Sequence, residues 1–304
     1  MNNKKLLSAY VAIIIAMSVW ACSFLFTQEA LKSFNPITVV TIRMSLATLI
    51  LGLVGLITKK INKLNVSDIP LFLLAGFSQP FCYFICEAYG LTMVSATIAS
   101  VILSTIPLFS PLFAWLLVKE KVHWNNIVGI IISLIGVLML VVKNDEMKVS
   151  ALGICLLFIS VLTAIIYSVC LKKIPSHYSN ISIVFYIHAI SLVFFIPTFL
   201  LFDIKYFGEK EILFSSVMSI VILAVVASVI SYLFFCYVVR IIGVTKANAF
   251  CNIMPAITAL AVWIFFGESI SFMKWIGIFI VILGLFICRS EEHTSELQSL
   301  LRIS

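Results

Sequence analysis

The second half of this 304-residue chain repeats its first half in register. At a constant offset of 148 residues, without a gap, Pro107 falls on Pro255, Trp115 on Trp263, Glu120 on Glu268, Gly129 on Gly277 and Gly136 on Gly284. Thr97 and Thr245 coincide too, as do Ala99 and Ala247. Apolar coincidences would carry little weight in a chain that is 62% hydrophobic. Pro, Trp, Glu and paired Gly are uncommon or disfavoured in apolar helices, so their alignment marks a duplicated unit.

The composition places that unit in lipid. With 11% charged residues and a mean hydropathy of +1.19, the chain has too little polar surface to coat a soluble globule of its size. Ten apolar runs recur, near 6–28, 36–57, 69–90, 94–118, 123–142, 150–171, 181–202, 212–238, 244–266 and 272–288. Each is long enough to cross roughly 30 Å of hydrocarbon as a helix. Continuous apolarity without a period of two favours helices over an outer-membrane barrel. The fold class read from the sequence is an all-α integral membrane protein of ten transmembrane helices. The first run follows Lys4 and Lys5 like a secretory signal, but its length, Trp20 and Phe24 make it a retained span.

Lys and Arg set the orientation. With the N-terminus in the cytoplasm, the inner ends hold twelve basic residues, among them Lys59, Lys60, Lys63, Lys119, Lys121, Lys172, Lys173, Arg240 and Lys246, against six outside. This asymmetry predicts a multi-pass protein of the cytoplasmic membrane with both termini inside. It also accounts for the net charge of +7 without a basic patch of the kind nucleic-acid binding needs. Five spans per repeat insert the two halves upside down relative to one another, the architecture of secondary transporters. The expected units are 1–143 and 149–288, followed by a polar tail, 289–304. The stretch Arg289 to Ser299 looks like the translation of a sequencing adapter, and the tail is set aside from fold and function.

No phosphate-cradling glycine loop interrupts the spans. All eight cysteines lie in or at the edge of spans and suggest neither a disulfide framework nor, for Cys82 and Cys86 alone, a zinc site. No cofactor or metal is expected. Asp68, Asp145 and Asp203 are isolated, whereas a membrane-embedded transferase would want paired carboxylates for a metal and pyrophosphate. A structural or receptor-like membrane protein is the other alternative to a carrier.

Candidate substrate-binding residues follow from polarity in lipid. Gln79, Tyr83 and Glu87 share a face of helix three, with Glu87 about 12 Å beyond Gln79 at the helical rise. They line a cavity or act as polar glue between helices. In helices four and nine, Ser100 and Ser104 match Asn248 and Asn252 at the same offset, seven and three residues before Pro107 and Pro255. Each proline bends its helix and exposes backbone near the membrane centre. The four polar residues either contact substrate there or satisfy freed carbonyls. Trp20, near mid-span, is a candidate for stacking on substrate, with core packing as the alternative.

Arg43 near the centre of helix two costs about 2.5–3.5 kcal/mol on insertion scales, so a partner or a wet cavity is expected. Glu87 and Glu29 are at compatible depth for an ion pair; a coupling role is the alternative. His188 in helix seven can titrate during transport or serve in packing. Glu120 and Glu268 each stand just before a span, where a carboxylate complements the positive end of the following helix dipole. Gly129 and Gly136, like Gly277 and Gly284, are seven apart and mark close-packed faces of helices five and ten.

The segment from Glu87 through Gly136, with Ser95, Ala96, Ile106, Pro107, Trp115, Glu120 and Gly129, resembles the EamA-type permeases of the drug/metabolite transporter superfamily. Pro255, Trp263, Glu268, Gly277 and Gly284 resemble the second EamA unit. The likeness covers nearly everything before the tail. It implies a ten-helix permease rather than an enzyme, with a central cavity between the halves and export or exchange of small polar metabolites such as amino acids.

Overall fold

A computed structural model describes residues 3–122, 124–141, 150–266 and 272–289. Every regular element among them is helical. Helix α1 spans Asn3–Ala30 and α2 spans Pro36–Ile57; α3 (Ile69–Gly76) and α4 (Tyr83–Met93) are joined by a π-helical stretch, Phe77–Cys82. Then come α5 (Ala96–Leu103), α6 (Ile106–Val118), α7 (Trp124–Val141), α8 (Ala151–Lys173) and α9 (Asn180–Phe202). A second π-helical stretch, Leu223–Ile230, joins α10 (Phe214–Ile222) to α11 (Ser231–Ile242), and α12 (Val244–Ala249), α13 (Ile253–Phe266) and α14 (Phe272–Arg289) complete the order.

Among the described residues, seven helical runs are long and apolar enough to cross a membrane, and two shorter apolar helices, Trp124–Val137 and Trp275–Ile287, accompany them. Among the expected spans the ninth is divided by a 3-10 turn, Phe250–Asn252, between α12 and α13. Its counterpart breaks between α5 and α6. Pro107 sits in the first turn of α6, where a missing N–H costs nothing, and Pro255 follows two residues after the start of α13. The prolines therefore separate helices rather than merely bending them. The outer surface carries Leu53, Leu56, Leu201, Phe214 and Phe279, all more than half exposed, an arrangement that only a bilayer solvates.

Helix pairs run antiparallel and exchange caps. Asp203, just after α9, accepts the Thr38 N–H at 2.8 Å, the Asn35 side-chain amide at 3.1 Å and the Thr38 hydroxyl, closing the start of α2. At the other end Asn62, beyond α2, accepts the Ser179 N–H at 2.7 Å, and its own N–H donates to Ser182 Oγ at 2.7 Å. Each helix of the pair thus has its orphan N-terminal donors satisfied by the chain leaving the other.

Helix α1 lies along α10 and α11 through Ser8 with Tyr237 at 2.7 Å and Ser216 Oγ donating to the Glu29 carbonyl at 2.8 Å. Helix α8 lies along the α3 to α4 segment, Ser160 Oγ donating to the Tyr83 carbonyl at 3.2 Å. Helices α7 and α14 meet backbone to backbone: a Cβ on Gly136 would stand 2.7 Å from the Gly277 carbonyl oxygen, and one on Gly284 2.5 Å from the Ser133 nitrogen.

Glu120 departs from the sequence expectation. Its Oε2 accepts the Val244 N–H at 2.9 Å and its Oε1 the Thr245 N–H at 3.0 Å, so it closes α12 of the other half, not the helix that follows it. Lys119 adopts a left-handed conformation (φ 55°) that turns the chain sharply at that point. Glu268, like Lys143, Lys148 and residues 290–304, lies outside the described residues.

Candidate functional site

A buried chamber forms where α1, α2, α4, α8, α11 and α12 converge. Its walls carry Arg43 from α2, Gln79 from the first π-helical stretch, Tyr83 and Glu87 from α4, Trp20 from α1 and Asn248 from α12. Tyr232, Phe235, Ser168 and Phe84 line it as well. The free space is about 30 Å³, room for one or two waters. That is too little for a metabolite.

Arg43 is 2% exposed, and no carboxylate of the described residues lies within 4.0 Å of it. Its Nε donates to Ser228 Oγ at 2.6 Å and its guanidinium lies 4.1 Å above the Phe84 ring. Neither Glu87 nor Glu29 forms a salt bridge with it, so the ion-pair alternative finds no contact within 4.0 Å. Glu29 instead pairs with Lys32 at 2.5 Å, the ion pair found among the described residues, and accepts Ser215 Oγ at 2.8 Å. Glu87 accepts the Tyr83 hydroxyl at 3.3 Å. Cation and anion face one chamber, each held by neutral neighbours; a hydroxyl and a ring face stabilise a buried guanidinium less than a carboxylate does.

Gln79 leaves helical conformation (φ −148°, ψ 120°) inside the π-helical stretch, and its Nε2 donates to the Tyr232 hydroxyl at 3.0 Å. Trp20 donates to the Ala227 carbonyl at 3.0 Å and meets Tyr232 edge-on at 5.4 Å between ring centroids. Asn248 donates to Ser110 Oγ at 2.8 Å and accepts Ser168 Oγ at 3.1 Å, tying α12 to α6 and α8.

Four candidates are elsewhere. Ser104 lies in the turn after α5, its hydroxyl bonded to the Val101 carbonyl at 2.6 Å, so it satisfies backbone at the break. Ser100 is fully buried outside the chamber walls. Asn252 donates to Ser133 Oγ on α7 and is also fully buried, away from the chamber. His188 stands behind Tyr232, 4.9 Å between ring centroids, with Nδ1 bonded to the Val184 carbonyl at 2.8 Å. Pro107 and Pro255 shape the breaks and do not line the chamber. Asn252→Leu is accordingly expected to cost about 1 kcal/mol of stability through its lost bond and to leave substrate affinity within twofold; melting temperature and dissociation constant on one preparation check it.

Sequence reasoning missed Ser228 and Tyr232. Their signal was weak, because Ser228 is one of five serines in its span and lies in the π-helical stretch that precedes Tyr232. Tyr232 is the hub of the aromatic wall, touching Trp20, Phe84, Tyr167 and His188.

Apolar helices sheathing a polar, charged and closed interior define a multi-pass membrane protein. The profile of the EamA-like transporter family matches residues 7–142 and again 151–289, and the chain belongs to that family. It is similar to the uncharacterized transporter YdfC of Bacillus subtilis, 25% identical over 280 residues, covering 90% of this chain and 89% of that one. An uncharacterized transporter of Archaeoglobus fulgidus is 24% identical, covering 91% and 97%. A probable terminal-alkyne amino-acid exporter of Streptantibioticus cattleyicolor is 21% identical, covering 87% of each. A crystal structure superposes with a TM-score of 0.76 at 15% identity, over 92% of this chain and 96% of its own, a likeness of fold.

Proposed function

We propose that the protein is a secondary transporter that carries a small polar metabolite, an amino acid or related compound, across the cytoplasmic membrane by alternating access, in the direction of export. The observation that carries this reading is the narrow chamber with Arg43 and Glu87 both facing it and no salt bridge between them within 4.0 Å. A zwitterion supplies what each lacks: its carboxylate accepts from the guanidinium and its ammonium donates to Glu87. Trp20 and Tyr232 then bound the side chain, and Gln79 and Asn248 offer neutral hydrogen bonds. The amino-acid exporter among the relatives supports the same substrate class.

The architecture we assign is ten crossings in two inverted five-helix repeats, 1–143 and 149–288, with the segment 289–304 dispensable. Antiparallel contacts between corresponding elements support it, as do the two π-helical stretches at matched places, Phe77–Cys82 and Leu223–Ile230. Inverted halves can exchange conformations around a midplane site. Both termini are cytoplasmic, since Lys59, Lys60, Lys63, Lys119 and Lys121 gather at one end.

The test is counterflow in liposomes reconstituted with the purified protein. Saturable exchange of an amino acid is expected, with exchange of its amide and of its N-acetyl derivative at least about tenfold weaker, each lacking one of the two charges. Absence of saturable exchange for every solute would leave a structural or receptor-like membrane protein as the better reading.

A further inference from the structure

The structure assigns a second role at the lysine-rich end of the bundle: we propose that Glu120 is the gate residue there, its carboxylate latching α12 to the loop after α6 whenever the chamber is closed toward that end. The inference rests on the alternating-access reading above.

Three observations converge. Glu120 satisfies the first two N–H groups of α12, at 2.9 and 3.0 Å, across the boundary between the halves. Gly243, the residue before α12, has φ +88°, and a Cβ there would stand 2.9–3.0 Å from the Glu120 carboxyl atoms. That position is thus open to the carboxylate only because it has no side chain. At the 148-residue offset the matching residue is Ser95. Ser95 has extended backbone (φ −71°, ψ 157°) and caps its own helix, its hydroxyl accepting the Ile98 N–H. One broken helix is capped from within, and the other is capped by the opposite half. The duplicated halves therefore differ at the place where an opening must occur.

The third observation is the layer beneath. Asn248 lies five residues into the same segment, about 8 Å further along at the helical rise. It is bonded to Ser110 of α6 and faces the chamber. Glu120 and Asn248 both join α12 to the α6 arm, one at the rim and one at the chamber wall. Any opening of the chamber toward this end carries α12 away from α6 and breaks the Glu120 bonds first, leaving the exposed N–H groups to incoming water.

The experiment reads access rather than transport. In a background where Cys251, which lines the chamber, is the sole cysteine, a membrane-impermeant methanethiosulfonate is applied to inside-out and right-side-out vesicles. Glu120→Gln weakens the latch while keeping one acceptor oxygen. Gly243→Ser drives the backbone toward the Ser95 geometry, displaces the carboxylate and supplies a cap of its own. Both are expected to raise the Cys251 modification rate about tenfold from the lysine-rich face and not from the opposite face.

A Glu120→Gln protein that elutes as a folded species and labels at the parent rate would overturn the proposal and reduce Glu120 to a structural cap, as would a rise of equal size from both faces. Failure of counterflow in the unsubstituted protein would instead remove the carrier reading, with the labelling result unaffected.

Discussion

Arg43→Met is expected to abolish amino-acid counterflow while leaving the protein as stable as the parent or more so. Arg43 is 2% exposed, without a carboxylate of the described residues within 4.0 Å, and held by a hydroxyl and a ring face. A charge at mid-span costs about 2.5–3.5 kcal/mol on insertion scales, and its removal strips no described carboxylate of a partner within 4.0 Å. Removing the guanidinium therefore relieves a cost that neutral neighbours only partly offset. Its loss to function is larger, because a desolvated charge-assisted contact to substrate is worth about 2–5 kcal/mol, or roughly one and a half to three and a half orders of magnitude. The combination is diagnostic. A structural brace would behave in the opposite way, with a lowered melting temperature and normal exchange by the surviving protein.

Gly284→Val is expected to remove most of the folded protein. A Cβ at this position would stand 2.5 Å from the Ser133 nitrogen and 2.6 Å from the Gly129 carbonyl oxygen, both backbone atoms that no rotamer change can move. Helices α7 and α14 would have to separate along their contact, and overpacking of this kind costs about 3 kcal/mol or more, a large share of a domain's stability. Gly52→Val is the control, because its Cβ would meet the ring of Phe185 at 3.2 Å, a side chain free to swing aside. Monodisperse yield from gel filtration and melting temperature decide the comparison. Equal losses for the two substitutions would mean that α7 and α14 are not held by their glycine faces.

The contrast between Gly284 and Asn252 indicates how far local pattern reaches. Spacing of glycines at seven marked a close-packed face on each of α7 and α14, and the fold sets those faces against one another, because both helices are regular there and the period persists. The same logic extended from Asn248 to Asn252 failed. Residues 250–252 form a 3-10 turn, which advances each residue by about 20° more than an α-helix does, so a residue four positions on points at α7 rather than into the chamber. Ser104 fails for a related reason, lying in the turn beyond α5. Gln79, Tyr83 and Glu87 all reach the chamber although a π-helical stretch begins the segment, since the regular helix resumes at Tyr83 and carries the last two.

Arg43 was legible as a buried cation, but its neighbours were not. Ser228 and Phe84 come from distant parts of the chain, and a sequence carries no distance between helices. Glu120 shows the same limit. Its position before a span suggested a cap, and only the fold reveals that the capped helix belongs to the other half.

The exchange of caps between α2 and α9 constrains how the protein is made. The donors of Asn35 and Thr38 enter the membrane long before Asp203 leaves the ribosome, with some 165 residues still to be translated. At about 5–20 residues per second that interval is on the order of ten seconds or more. During it the early half holds polar backbone groups that only the late half will bind, so they must be served by water, lipid headgroups or an insertase. The early spans thus follow a schedule in which they are not finished until the late ones have been translated.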